Sequence, residues 1–196
     1  MITREQALAL LHTNMESQNL RRHCYAVEAT MRALARYFKE DEEKWGIIGL
    51  LHDGDYEKTK ETPEKHTLLM VDWLKEAGET DPEIISAILS HNYAHLVDTK
   101  VGDGVAEAPK NKLEWSLYCS DELTGLIVAV SLVRPDKRIS SVTVNTVLKK
   151  WNQRSFAAGV KREQIAECEN RLGVPLNEFI GIALEAMQGI SEDLGL

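Results

Sequence analysis

Six side chains of the types that bind metal ions lie among apolar residues of this sequence. They are the four histidines His23, His52, His66 and His91 and the two aspartates Asp53 and Asp121. A single histidine on an apolar helix face is usually a core residue. A buried carboxylate without a partner costs roughly several kcal/mol, so it must be neutralised, paired or bound to a metal. Because few Lys or Arg residues share these faces, the set favours a metal site.

The elements that must position these residues are predicted to be α-helices. "TREQ", residues 3–6, forms a Thr-x-x-Gln capping box, and "LGVPLNEF", residues 172–179, has a Gly stop followed by a Pro start. No alternating strand pattern appears, although "ISSVTVNTVL", residues 139–148, is β-branched enough to stay open. The sequence therefore predicts an all-α fold. The predicted helices lie near 3–14, 17–38, 41–53, 63–77, 82–91, 111–133, 141–152, 161–171 and 175–193.

Helical spacing directs the candidate ligands inward. His23 lies three residues after Leu20 and four before Val27, and Asp121 shares a stripe with Gly125 and Val128. The same count places the other three histidines on apolar stripes of their predicted helices. His12 also lies on a stripe without an assigned role, and the Gly-rich segment 95–111, which contains His95, is either a hinge or lid or a solvated connection.

Composition and charge exclude several classes of function. The chain has 196 residues, of which 43% are hydrophobic and 28% charged, as in ordinary globular proteins. Its net charge of -8 argues against general nucleic-acid or anionic-membrane binding. The longest apolar run, 123–133, is too short to span a membrane and no secretory signal is evident, so we expect a cytoplasmic protein. The cysteines, which form no CxxC pair, indicate neither a disulfide framework nor a thiolate zinc site.

The order of the candidate ligands resembles a known family signature. His23, the HD dipeptide at 52 and 53, and Asp121 follow the H…HD…D pattern of the HD superfamily of metal-dependent phosphohydrolases. His66 and His91 extend it to the six-ligand pattern H…HD…H…H…D, and "SDELTGLIVAVSLVRPDK" with "SFAAGVKREQI" is similar to an uncharacterised branch of HD-domain hydrolases. The resemblance implies an HD-domain, phosphodiesterase-like helical bundle. Residues 1–196 would form a single HD domain, with 134–196 a C-terminal helical extension packed on the 17–133 metal-binding core.

The same resemblance implies a site for one or two divalent transition metals. His23, His52, Asp53 and Asp121 would hold one metal, and Asp53 would bridge to a second metal held by His66 and His91. Nitrogen and carboxylate ligands suit Fe, Mn, Zn, Co or Ni better than Mg. His52 and Asp53 are the expected catalytic residues, because paired metals activate water for in-line displacement at phosphorus.

The sequence departs from the family pattern after the HD dipeptide. Many HD proteins continue "HDIGK", whereas this chain reads "HDGDY" and lacks the Lys at position 56. Asp55 would orient a ligand histidine or serve only as a polar residue at the helix end. Lys58, Arg134 and Lys137 are the candidate substrate-binding residues, with solvated charged surface as the alternative.

Three functions remain open from the sequence. The first is a hydrolase that cleaves a phosphoester or phosphoanhydride of a small phosphorylated molecule, with nucleotides among the candidates. The second is an HD-type di-iron oxygenase, which uses the same six ligands, and the third is a non-catalytic metal-dependent ligand-binding protein. The apolar last helix would complete the core or form the face of a homodimer.

Overall fold

The fold is built from helices joined by short turns. The computed structural model describes residues 1–93 and 107–196, and no β-strand occurs within these ranges. The predicted all-α fold is thus confirmed. The helices are α1 (Arg4–Asn14), α2 (Gln18–Phe38), α3 (Glu42–Leu51), α4 (Tyr56–Thr59), α5 (Leu68–Glu76), α6 (Pro82–His91), α7 (Lys112–Leu132), α8 (Val144–Trp151), α9 (Arg162–Glu167), α10 (Leu176–Gln188) and α11 (Ser191–Leu194).

Polar side chains fix where the longer helices begin. Thr3 and Gln6 form the predicted capping box, in which each side chain binds the backbone N–H of the other. Ser17, Asp41 and Asn111 cap α2, α3 and α7 by accepting a hydrogen bond from a backbone N–H in the first turn. These caps set the start of the three helices that carry or precede four of the six candidate ligands.

The centre of the fold is the packing of α2 against α3 and α7. Gly49 permits the close approach of α3 to α2, because a Cβ atom there would lie 2.9 Å from the carbonyl oxygen of Val27. α7 also packs against α6 and α9, and α10 packs against α2 and α8. Buried Leu, Ile, Val and Met side chains fill the spaces between these helices. Apolar burial of this kind is the main driving force of folding.

Several predicted helix boundaries were wrong, and the errors matter for the site. α3 ends at Leu51, so His52 and Asp53 lie in the following turn, which Gly54 closes by donating its N–H to Leu51. The predicted helix 63–77 is a 3-10 turn, Pro63–Lys65, followed by α5, and His66 lies between them in non-helical backbone.

The C-terminal part also differs in detail from the prediction. Residues 139–148 begin with a 3-10 turn, Ile139–Ser141, and continue into α8, while the predicted helix 161–171 is α9 followed by a π turn, Cys168–Leu172. The predicted helix 175–193 breaks at Gly189 into α10 and α11. These elements contact α2 and α7. The division into a 17–133 core and a 134–196 extension stays a prediction.

The buried Arg162 organises the segment before α9. Its guanidinium donates hydrogen bonds to backbone carbonyl oxygens between Lys150 and Val160, including those of Trp151 and Phe156 at 3.0 and 2.6 Å. One side chain therefore links the end of α8 to the turns that follow it by binding several of their backbone carbonyls.

Two further expectations concern the membrane and the Gly-rich segment. Across residues 1–93 and 107–196, none of the helices combines the length and the apolar character that a membrane crossing requires. The predicted hinge, lid or solvated connection at 95–111 falls largely outside the described residues, as does His95.

Candidate metal centre

The fold brings the six candidate ligands together from five places in the chain. α2 and α7 contribute one residue each from their interior, α6 contributes its last residue, the turn after α3 contributes two, and the link before α5 contributes one. Their ligand atoms form two groups, and within each group all atoms lie within 4.8 Å of one another. The first group is His23, His52, Asp53 and Asp121, and the second is Asp53, His66 and His91.

The first group is centred on His23. Its Nε2 atom lies 3.0 Å from Oδ1 of Asp121, 3.2 Å from Nε2 of His52 and 3.5 Å from Oδ2 of Asp53. His52 is fully buried, and its Nε2 atom is 3.6 Å from the same Oδ2 of Asp53. Four donor atoms therefore face one small volume.

The second group is centred on the other oxygen of Asp53. Oδ1 lies 3.2 Å from Nε2 of His66 and 3.3 Å from Nε2 of His91. Asp53 thus directs Oδ2 toward the first group and Oδ1 toward the second. Two groups of imidazole and carboxylate donors that share one aspartate fit two metal ions bound close together.

Hydrogen bonds on the outer side fix the orientation of three histidine rings. Nδ1 of His52 donates to the carbonyl of Gly49 at 2.9 Å, and Nδ1 of His91 donates to the carbonyl of Ile88 at 2.7 Å. A carbonyl oxygen only accepts, so the proton resides on Nδ1 in both rings. In a neutral ring the lone pair is then on Nε2, which faces the centre, as in a metal-ligating histidine.

Asp55 gives the third ring the same support. Its carboxylate is fully buried, accepts a hydrogen bond from Nδ1 of His66 at 2.8 Å and accepts a second from the backbone N–H of Met70 at 3.0 Å. Gly54 allows this turn to lie close to α5, because a Cβ atom at that position would be 2.5 Å from the sulfur of Met70. The position after "HDG" therefore holds a carboxylate that orients a histidine of the second group.

The residues present fit a pair of divalent metals. In His52, His66 and His91 the proton is on Nδ1, which faces outward. The Nε2 atom of each ring lies 3.2 to 3.7 Å from a carboxylate oxygen. Two lone pairs facing each other repel unless a proton or a cation lies between them. The donor set of imidazole nitrogens and carboxylate oxygens, without thiolates, suits Fe, Mn, Zn, Co or Ni.

Without metal, the charges of these groups are strongly coupled. Burial lowers the pKa of His23, but the carboxylates of Asp121 and Asp53 outweigh it and raise the pKa to about 9. Burial likewise lowers the pKa of His66, and Asp53 and Asp55 raise it to about 10. The surrounding histidines hold the pKa of Asp53 well below its usual range despite its burial. The carboxylates thus create a strong preference for positive charge at the centre.

The pKa of His91 shifts in the opposite direction. Burial is the main cause of its lowered pKa, and the neighbouring rings of His52 and His66 add to it, whereas Asp53 opposes it. Neutral imidazole is the form that binds metal. His91 is therefore held in its ligating form around neutral pH.

A cavity of about 470 Å³ opens onto both ligand groups. Most of its other lining residues were not predicted as site residues; they include Tyr56, Asn92, Glu122 and Gln164. The rings of Tyr56 and His66 are nearly perpendicular, with centroids 5.5 Å apart. The sequence gives a hint only for Glu122, because it follows the candidate ligand Asp121 directly. Gln164 lies in α9, far from the ligands in sequence.

The three predicted substrate-binding residues do not line this cavity. Lys58 donates from Nζ to the side chain of Asn14 at 2.8 Å and lies over the ring of Trp73. Arg134 donates to the hydroxyl of Ser141, and Lys137 is exposed in the turn after α7. Their role in substrate binding stays a prediction without support from these contacts.

The remaining histidine of the described residues lies elsewhere. His12, in α1, has its Nε2 atom 2.6 Å from the hydroxyl of Tyr25 and belongs to neither ligand group. The three cysteines are buried and unpaired.

Comparison with known proteins bears on this geometry. The family model for the HD domain matches residues 20–125, which is just over half of the chain and includes all six candidate ligands. No curated protein matched the sequence.

Proposed function

This chain belongs to the HD-domain family, whose members are mostly metal-dependent hydrolases, and on that premise we propose that it is a phosphohydrolase. It cleaves a phosphoester or phosphoanhydride bond of a small molecule, with nucleotides among the candidate substrates. The observation that carries the proposal is the placement of Asp53, whose two oxygens face two separate groups of donors. That arrangement matches a two-metal hydrolytic centre.

The metal ligands follow from the two groups. His23, His52, Asp53 and Asp121 would hold one divalent transition metal, and Asp53, His66 and His91 would hold the other, because the ligand atoms of each group lie within 4.8 Å of one another. Bound metals supply a water molecule activated near neutral pH and positive charge for the phosphoryl oxygens. The substrate enters through the cavity of about 470 Å³, which reaches both groups.

The chain's own residues fix the geometry on which this chemistry depends. The hydrogen bond from His52 to Gly49 and the full burial of His52 prevent the ring from rotating. Asp55 holds His66 in the same way. Asp53 must direct one oxygen to each group, and the turn at residues 52–55 sets that orientation. Pre-organised ligands of this kind need no rearrangement when substrate binds.

The charge of the whole chain does not oppose an anionic substrate. Its net charge is -8, but exposed charges more than about 8 Å away are largely screened at physiological ionic strength. Two divalent cations would more than neutralise the ligand carboxylates of Asp53 and Asp121. A phosphate group in the cavity would then meet a net positive field.

The test is hydrolysis by protein reconstituted separately with Mn, Fe, Co, Ni and Zn. A panel of a phosphomonoester, a phosphodiester and a nucleoside triphosphate is assayed for phosphate or alcohol release, with oxygen uptake recorded in the same reactions. We expect metal-dependent phosphorus–oxygen bond cleavage that Asp53→Ala abolishes and that Asp72→Asn, an exposed aspartate of α5, preserves.

Two outcomes would replace the proposal. Substrate-dependent oxygen uptake by the iron form, without phosphate or alcohol release, would identify the oxygenase alternative. Metal binding without turnover of any panel member, together with saturable binding of a phosphorylated ligand, would identify the non-catalytic ligand-binding alternative.

A further inference from the structure

A second cavity adjoins the metal centre. It has a volume of about 350 Å³ and lies between α2, α7 and the segment that ends at Leu196. This volume falls in the range of roughly 300–1,000 Å³ that ligand pockets occupy. Its apolar lining residues are Ala26, Val128, Leu132, Leu194 and Leu196, and its polar ones are Asn19, Arg22 and His23.

Two helix faces lead from the metal centre into this cavity. On α7, Gly125, Val128 and Leu132 follow Asp121 at intervals of four, three and four residues, so all four share one face. On α2, His23 and Ala26 face the same space. From Gly125 to Leu132 the groove extends about 10 Å at 1.5 Å per residue.

Gly125 joins the two cavities. It lines both of them, as does His23. A Cβ atom at Gly125 would meet nothing within 4 Å, so packing does not require glycine there. Glycine in the middle of a helix lowers helix stability relative to alanine. The absent side chain therefore leaves open space at a position that lines both the metal centre and the second cavity.

Leu132 also indicates a ligand rather than a core position. It lines the cavity, yet it is 50% exposed, one of the few large hydrophobic side chains exposed to this extent among the described residues. Leu194, on the opposite side, is 4% exposed. An apolar group bound between them would cover the exposed part of Leu132 and gain hydrophobic free energy.

We propose that this second cavity binds the apolar part of the substrate, so that the substrate is a phosphoester whose organic group is hydrophobic. The inference rests on the proposed function, because it assumes that the phosphoryl group lies at the metal centre. Gly125 is the specificity-determining position, since its open side allows the organic group to pass from one cavity into the other. Binding of a non-reacting group in this way contributes to transition-state stabilisation as well as to affinity.

The experiment measures binding of two non-hydrolysable probes, methylphosphonate and hexylphosphonate, to the metal-loaded full chain by calorimetry. Each buried methylene contributes about four-fold in affinity. Hexylphosphonate has five methylenes more than methylphosphonate, and burial of only two of them is enough for at least about ten-fold tighter binding, which is the result we expect. Alkyl chains and aromatic rings share this apolar chemistry, so phenylphosphonate serves as a third probe to distinguish them.

Variants locate the preference in the structure. Gly125→Leu fills the space beside Gly125. Leu132→Gln makes the cavity wall polar at a half-exposed position, where folding tolerates the change. Both variants are expected to reduce the ratio of the hexylphosphonate affinity to the methylphosphonate affinity toward one. Val133→Gln is the matched control, because Val133 is 59% exposed and does not line the cavity. It is expected to keep the wild-type ratio.

The possible results separate this inference from the proposed function. Equal affinities for the methyl and hexyl probes in the wild-type protein would overturn the inference and leave the proposed phosphate site intact. A hexyl preference that persists in both cavity variants would also overturn it. Failure of every phosphonate to bind the metal-loaded protein would overturn the proposed function and this inference together.

Discussion

Replacing Asp55 by Asn tests whether the buried carboxylate controls the second ligand group. Asp55 accepts two hydrogen bonds, from Nδ1 of His66 at 2.8 Å and from the backbone N–H of Met70 at 3.0 Å. An amide has one acceptor oxygen and one NH2 donor. In Asp55→Asn, either the NH2 group faces the N–H of Met70, or it faces His66 and forces the ring proton onto Nε2.

The two orientations have different costs, and the second is expected to dominate because it leaves both Met70 N–H and Nδ1 of His66 with a hydrogen-bond partner. The first leaves a buried donor unsatisfied, which costs about 1–3 kcal/mol of folding stability. The second removes the lone pair that would bind the metal. Loss of an outer hydrogen-bond partner of a ligand histidine lowers metal affinity by about 10- to 100-fold, or about 1.4–2.7 kcal/mol.

The assay is a competitive titration with a fluorescent chelator that resolves two binding steps. We expect Asp55→Asn to weaken one step by this amount and to affect the other much less, because Asp55 contacts only the second group. Asp72→Asn removes an exposed carboxylate from α5 and should leave both steps unchanged. Two wild-type affinities in Asp55→Asn would refute the reasoning.

Three other predictions concern stability. Burial raises the pKa of Glu79, but hydrogen bonds from three backbone N–H groups outweigh burial and lower this pKa below the ordinary 4.5. Ionised Glu79 therefore stabilises the fold above about pH 4.5, and this stabilisation is lost as the pH falls through the lowered pKa. Urea unfolding of Glu79→Gln at pH 7 should therefore give a lower free energy of unfolding than that of the wild type. An equally large difference at acid pH, where the carboxylate is protonated, would contradict this prediction. Gly49→Ala should lower the free energy of unfolding by about 1–3 kcal/mol, because its Cβ would lie 2.9 Å from the backbone carbonyl oxygen of Val27, which cannot move aside as the end of a side chain can. Gly125→Ala should instead raise it by about 0.5–1 kcal/mol, because nothing lies within 4 Å of its Cβ. Equal effects of the two substitutions would contradict the packing argument. Arg162→Lys should lower the free energy of unfolding by about 2 kcal/mol or more, because one ammonium group cannot bind all the carbonyls that the guanidinium binds. Unchanged amide hydrogen exchange at residues 152–160 would contradict this prediction.

The sequence was sufficient to predict the all-α fold and to select six residues whose side chains converge. Helical spacing placed His23 and Asp121 correctly, because each lies within a long helix with a regular apolar stripe. His52 and His66 face the site as predicted, but the helical backbone assumed for them was wrong. Both lie outside regular helix, and the turn at 52–55 and the link before α5 direct them inward.

Features that depend on distant residues could not be predicted in this way. Lys58 is close to the HD dipeptide in sequence, but the short α4 directs its side chain to Asn14 and Trp73. Arg162 resembles any surface arginine in the sequence, yet it is buried among backbone carbonyls. The apolar cavity beside the metal centre is formed by two helices and a distant segment, so no local pattern indicates it.

Metal content per chain shows whether the six ligand residues hold two metal ions. Protein purified without chelator, and protein reconstituted with Mn, Fe, Co, Ni or Zn, is analysed for metal atoms per chain alongside Asp53→Ala and His66→Ala. We expect close to two atoms for the wild type, about one for His66→Ala and fewer than one for Asp53→Ala, because Asp53 belongs to both ligand groups. Wild-type protein that holds no metal after reconstitution, or an Asp53→Ala variant that keeps two atoms, would contradict it.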